Sequence, residues 1–151
     1  MSKEHRIDAG AIIIQENRIL LVRYNDLQGK SYLVGPGGGV EDDESIIKAL
    51  TREVKEETGL EVNPSKILFI EDLVSSKYRF VKIWFLCEPV GGQLMNTQDA
   101  IDEGIIEAGW YRKEKLESET VYPPIIMDIN WRGFFEDNWE AKYLGLRYAD
   151  F

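Results

Sequence analysis

An α/β fold with a mixed β-sheet and helices on both of its faces is the architecture this chain predicts. Three observations carry the prediction. Strand-like apolar runs at 9–14, 19–23 and 31–34 open the chain. A glycine-rich turn then leads into an amphipathic helix, followed by a second pair of strand-like runs at 67–74 and 78–88. A further helix is expected after Pro123-Pro124, since proline suits a first helical turn. Strands, helix, strands and helix in that order build a sheet covered by helices.

The first two strands are joined at Gln15-Glu16-Asn17-Arg18 and read as a hairpin. A polar loop over 24–30 precedes the short strand at 31–34. Gly35-Pro36-Gly37-Gly38-Gly39 is too glycine-rich for regular structure and reads as a fixed tight turn that exposes main-chain atoms. The helix that follows has a start in Asp43, with Asp42 and Glu44 adding charge at the positive end of its dipole, and a stop in Gly59. Next come the second hairpin around Ser75-Ser76-Lys77, whose apolar run 80–87 predicts burial on both sides, and a stop at Gly91-Gly92. Residues 96–104 read as an acidic loop, Trp110-Tyr111-Arg112 as a short strand and 113–116 as a helical turn. Ile125, Ile126 and Ile129 suit the buried side of the last helix, which Gly133 ends. The aromatic tail, with Trp131, Phe134, Phe135, Trp139, Tyr143 and Tyr148, reads as core or dimer contact, or else as a base-stacking wall.

The first helix carries the chemistry. Stepping about 100° per residue puts Ile46, Ile47, Leu50 and Val54 on one stripe and Lys48, Thr51, Lys55 and Glu44 opposite. Glu53 and Glu57 continue the apolar stripe at +3 and +4 spacing beyond Leu50, with Glu56 close by. Burying an unpaired carboxylate is costly. Three that converge repel by roughly 4 kcal/mol per pair at 4 Å and an effective dielectric of 20. A divalent cation relieves this, and oxygen-only ligands suit Mg²⁺ or Mn²⁺. The plainer alternative is a solvated acidic face.

The chain of 151 residues, 44% hydrophobic, has no internal repeat, low-complexity segment or linker, so 1–151 reads as a single domain. A net charge of -9 argues against DNA and RNA as partners. No signal peptide or membrane span is legible, and the lone Cys87 lies in an apolar strand, so a cytoplasmic protein without a disulfide is expected. His5 is the only histidine, which excludes a Ser-His-Asp mechanism, and no glycine-Lys-Ser/Thr phosphate loop occurs.

Gly38, five residues, Glu44, seven residues, Arg52-Glu53-Val54, one residue, Glu56-Glu57, one residue, Gly59-Leu60 resembles the complete signature of the Nudix hydrolases. Asp43 replaces a glycine common in the family, and Tyr32-Leu33-Val34-Gly35 stands where a tryptophan is frequent before the Pro-Gly-Gly. The resemblance implies a Nudix-type α/β/α sandwich with a mixed sheet, and a Mg²⁺- or Mn²⁺-dependent hydrolase. Its substrate would be a nucleoside diphosphate linked to another moiety: a nucleoside triphosphate, dinucleoside polyphosphate or nucleotide sugar. Glu53, Glu56 and Glu57 would serve at the metal with the backbone of Gly38. Gly37, Gly38 and Gly39 would border the substrate, and Arg52 would orient the carboxylates. Glu53 is the first choice of general base. Asp102, Glu103 and Glu107 precede Trp110, where members often supply another carboxylate, and Glu103 is preferred over Glu107. Tyr78 has the spacing of a tyrosine seen in some dinucleoside polyphosphate hydrolases, and is equally an ordinary strand-start aromatic. The proline associated with ADP-ribose specificity is absent from 73–80. A small-molecule nucleotide is the expected partner, and the resemblance allows a homodimer. The competing function is a non-catalytic Nudix-fold module that senses a nucleotide.

Overall fold

The computed structural model describes residues 2–149. Strand β1 (Glu4–Gln15) turns back into β2 (Arg18–Asn25) through Glu16 and Asn17, both at positive φ. Such a two-residue turn matches the right-handed twist of the strands it joins. β1 and β2 stay paired only at Ile14↔Ile19 and Gln15↔Arg18, and then diverge. The short β3 (Ser31–Val34) follows β2, whereas β4 (Gly37–Gly39) crosses over and pairs with β1.

That crossover opens a cleft in the sheet. One half contains β4, β1, β6 (Tyr78–Gly92), β5 (Leu60–Val74) and β9 (Lys142–Tyr148). The other contains β7 (Glu107–Arg112), β2, β3 and β8 (Val121–Tyr122). β1 and β6 are parallel and β5 and β6 antiparallel, so the sheet is mixed.

Helix α1 (Ile46–Thr58) covers one face, packing Leu50 and Val54 on Ala9, Ala11, Ile13, Phe85 and Cys87. Leu21, Leu33, Phe69, Trp84, Trp131 and Phe134 pack on the other. Burial on both sides pushes the Cys87 thiol up to about 12, leaving it an inert core residue. No helix among the described residues is long and apolar enough to cross a membrane.

Several expectations are corrected here. The N-cap of α1 is Ser45, not Asp43: its hydroxyl accepts the Lys48 N–H at 3.1 Å, directly before the first apolar residue of the stripe. Ile47 is exposed rather than buried. The stop is Gly59, as expected, at φ 82 and with its N–H donated to the Lys55 carbonyl. Gly37–Gly39 forms regular structure after all, because glycine lets β4 lie close against β1: a Cβ on Gly37 would sit 2.7 Å from the Gly10 Cα. The expected loop at 96–104 contains helix α2 (Gln98–Glu103), capped by Thr97 and Gly104.

The helix expected after Pro123-Pro124 is replaced by two 3-10 turns, Pro124–Met127 and Trp131–Phe135. Asn130 interrupts them by accepting the Arg132 N–H. Trp131 and Phe134 are core, Trp139 packs edge-on against Phe69 and Phe134, and Phe135, Tyr143 and Tyr148 are exposed. β9 was not legible from sequence. Gly145, at φ 78, breaks its alternation.

Candidate active site

Glu53 and Glu57 lie one turn apart on α1 and face inward, only 9% and 2% exposed. The Gly37 N–H donates to Glu57 Oε1 at 2.8 Å, and the Tyr24 hydroxyl approaches Oε2 at 3.4 Å. Gly38 lies against Glu53 so closely that a Cβ there would be 2.6 Å from its Cδ. The glycine strand and the helix therefore form one unit, with backbone where a side chain would block the carboxylate.

Arg52 ties the rest together. Its Nε and Nη2 donate to the two oxygens of Glu44 at 2.7 and 2.8 Å. Nη1 reaches Glu53 Oε1 at 3.0 Å and Glu56 Oε2 at 3.3 Å, and Nη2 also reaches the Gly39 carbonyl at 3.3 Å. The paired guanidinium pulls the Glu44 carboxyl down to about 2.

The third carboxylate facing Glu53 and Glu57 is Glu103. One oxygen from each of the three lies within 4.8 Å of the others. Glu103 comes from the end of α2, so the helix not expected from sequence delivers it. α2 is tied to α1 by Thr97, whose hydroxyl donates to the Glu56 carbonyl, while buried Ala100 packs on Val22 of β2 and Ile105. Glu56 stands outside this group, its carboxylate held by Arg52. Glu107 is engaged elsewhere, near Arg23 at 3.5 Å and accepting from the Tyr111 hydroxyl at 3.0 Å. Asp102 accepts from Gln98. Tyr78 contacts Arg6, whose guanidinium lies 4.8 Å from its ring centroid, rather than any of the carboxylates.

Burial pushes the Glu57 carboxyl well above its ordinary range, and the charges of Glu53 and Glu103 add to this while the Gly37 N–H opposes it. Burial also raises Glu53, against the pull of Arg52. The donor set fits a hard divalent cation. Opposite oxygens around an octahedral Mg²⁺ are about 4.2 Å apart, twice the ordinary bond length. Three carboxylates converging on one point repel one another, and a cation between them relieves that repulsion.

Beside Glu57, in the cleft between the half-sheets, is a cavity of about 170 Å³. Tyr24, Tyr32 and Tyr122 form its wall, with Gly35, Gly37 and Lys82 also lining it. Tyr24 and Tyr32 are stacked at 5.6 Å and 18°, and Tyr122 meets Tyr32 edge-on at 5.7 Å. A larger cavity of about 450 Å³ shares Tyr32 and Tyr122 with it and runs along Asn25, Asp26 and Lys30. Of the lining, Gly37 was singled out from sequence, and Tyr32 and Gly35 were noted only in the stretch where a tryptophan is frequent. Lys82 left a signal, as a charge inside a run predicted to be buried on both faces. Tyr24 and Tyr122 left none.

The NUDIX domain family matches residues 4–128. Among curated proteins, the mouse (Mus musculus) 8-oxo-dGDP phosphatase NUDT18 is 38% identical over 104 residues, covering 68% of this chain and 30% of that protein. An ADP-ribose pyrophosphatase of Methanocaldococcus jannaschii is 34% identical over 91 residues, 59% of this chain and 54% of that one. This chain thus spans under a third of the first relative and about half of the second. Among solved structures, the MutT protein of Methanosarcina mazei Go1 has a TM-score of 0.63 at 30% identity, covering 85% of this chain and 91% of that one. An ADP-ribose pyrophosphatase from Streptococcus suis has a TM-score of 0.68 at 24% identity, covering 91% and 98%, and bears on the fold alone.

Proposed function

This chain belongs to the Nudix hydrolase family, and from that premise we propose that it cleaves a phosphoanhydride bond in a nucleoside diphosphate linked to another group, with Mg²⁺ or Mn²⁺ as its ion. The observation that carries the proposal is the convergence of Glu53, Glu57 and Glu103 beside the Gly37–Gly39 strand. The names of two relatives support the substrate class: 8-oxo-dGDP and ADP-ribose are both nucleoside diphosphates, the second with an added sugar.

Glu53, Glu57 and Glu103 would hold the ion, with the Gly38 backbone as the further ligand that family resemblance implies. When bound, the ion neutralises phosphate charge and lowers the pKa of a water. Arg52 fixes Glu53 by one oxygen and leaves the other to the site. Glu53, through the oxygen that Arg52 leaves free, is the first choice to accept the proton of the attacking water, and Glu103, exposed at the rim, is the second. Gly37, Gly38 and Gly39 border the phosphates without side chains in the way. The tyrosine-walled cavity takes the base, since stacked rings match a flat aromatic group.

The test is a panel of nucleoside triphosphates, dinucleoside polyphosphates and nucleotide sugars incubated with Mg²⁺ or Mn²⁺, with products resolved by mass. Turnover that Glu57→Gln abolishes without unfolding the protein is expected. A wild-type protein that binds nucleotides and releases no product would instead be a sensing module.

A further inference from the structure

We propose that Lys82 makes the cavity selective for a keto-purine of the guanine class over adenine. This deepens the assignment of the cavity to the base and rests on it. Lys82 is half-buried on β6 and lines the cavity together with Glu57 and the tyrosines. Among the described residues its ammonium pairs with no carboxylate. It lies over the Trp84 indole instead, 4.3 Å from the ring centroid. Glu71, its partner across the β5–β6 pair, is already committed: Oε1 accepts the Trp84 Nε1–H and Oε2 accepts from Arg147, both at 2.8 Å.

The surroundings make room for this lysine. Gly10 faces it, and a Cβ there would lie 2.8 Å from the Lys82 Cε and 2.5 Å from the Trp84 ring. The Trp84–Glu71–Arg147 chain ends over Tyr122, with the guanidinium 5.5 Å from that ring's centroid. The floor that carries Lys82 and the wall that stacks the base are thus linked. A cavity of about 170 Å³ is below the several hundred that a whole drug-sized ligand occupies, so it takes one part of the substrate.

An ammonium has three donors and no acceptor. Guanine presents O6 and N7 as adjacent acceptors, the edge that lysine and arginine commonly bind, whereas adenine sets an N6 donor beside N7. With the base assigned to this cavity, Lys82 is the cationic side chain of its lining that can meet it.

The experiment measures binding of GMP and AMP to the wild-type protein, Lys82→Met and Lys82→Arg, without divalent ion, by calorimetric titration. Wild type is expected to favour GMP by roughly tenfold. Lys82→Met should lose that preference through weaker GMP binding alone, and Lys82→Arg should keep it. Methionine preserves an unbranched apolar stem over Trp84, and an unchanged circular dichroism spectrum verifies folding. Equal losses for both nucleotides would mean that Lys82 reads phosphate, and would overturn the proposal. So would a wild type that binds the two equally or binds neither. Turnover without base preference defeats only this inference, whereas base-selective binding without turnover defeats only the hydrolase assignment.

Discussion

Glu57 occupies an unfavourable place for a charge: buried, beside two other carboxylates, with the Gly37 N–H as its closest donor. Two consequences are measurable. Glu57→Gln should raise the melting temperature of the ion-free protein and remove the further rise that Mg²⁺ gives wild type, because the neutral amide needs no cation. An ion-free variant that melts lower than wild type would contradict this. The second concerns pH. Burial raises Glu57 and Glu53 above their unfolded values, so their contribution to stability is present below about pH 4.3 and is lost as pH rises through the raised values. Glu44, held at about 2 by Arg52, has the opposite sign and loses its contribution as pH falls from about 4.3 toward 2. Melting curves without ion should therefore fall from mildly acidic to neutral pH, and the stabilisation by Mg²⁺ should grow over that same interval. A Mg²⁺ shift independent of pH would exclude proton–metal competition at these carboxylates. Gly38→Ala brings a Cβ within 2.6 Å of the Glu53 carboxylate, so turnover should drop at least tenfold while the far-ultraviolet spectrum is kept.

At the scale of elements, α1 and α2 divide the site between them. The Ser45 cap of α1 is worth about 1 kcal/mol, and Ser45→Ala should lower stability by that amount in urea titration with little effect on turnover. Thr97 is the sharper test. It caps α2 through the Ala100 N–H and donates to the Glu56 carbonyl, so Thr97→Val removes both bonds. If α2 is the arm that delivers Glu103, kcat should fall more than stability does, and Glu103→Gln should lower kcat to a similar extent. An unchanged kcat in Thr97→Val would show that Glu103 needs no such support. α1 was legible because its stripe, cap region and Gly59 stop all lie within one local stretch. α2 was not: six residues rich in acidic groups resemble a loop until Ala100 is seen packed on Val22 and Ile105. The terminal segment misled for a related reason. Proline and isoleucine suggested a helix, and Asn130 and the packing of Trp131 produced short turns instead.

At the scale of the molecule, the cavity exists because β1 and β2 separate after two residue pairs and β4 crosses the gap. The C-terminal strand β9 takes part in that architecture: Arg147 bonds buried Glu71 and lies over Tyr122, tying the outer edge of one half-sheet to the wall of the cleft. Arg147→Met should cost about 1–3 kcal/mol, the usual penalty for removing one partner of a buried polar group, and should also weaken nucleotide binding. Retained stability in urea titration would show that Trp84 alone satisfies Glu71. The sequence by itself determined the acidic helix, Arg52, the glycine-rich stretch before them and the family, since these are spacings along one short stretch; that the glycines form a strand came only from their pairing with β1. Only the tertiary structure decided that Glu103 rather than Glu56 completes the carboxylate group, and that Tyr24, Tyr32, Lys82 and Tyr122 share a cavity. Those residues come from five separate elements. Their meeting depends on how the strands pair and where the sheet opens, which no local periodicity encodes.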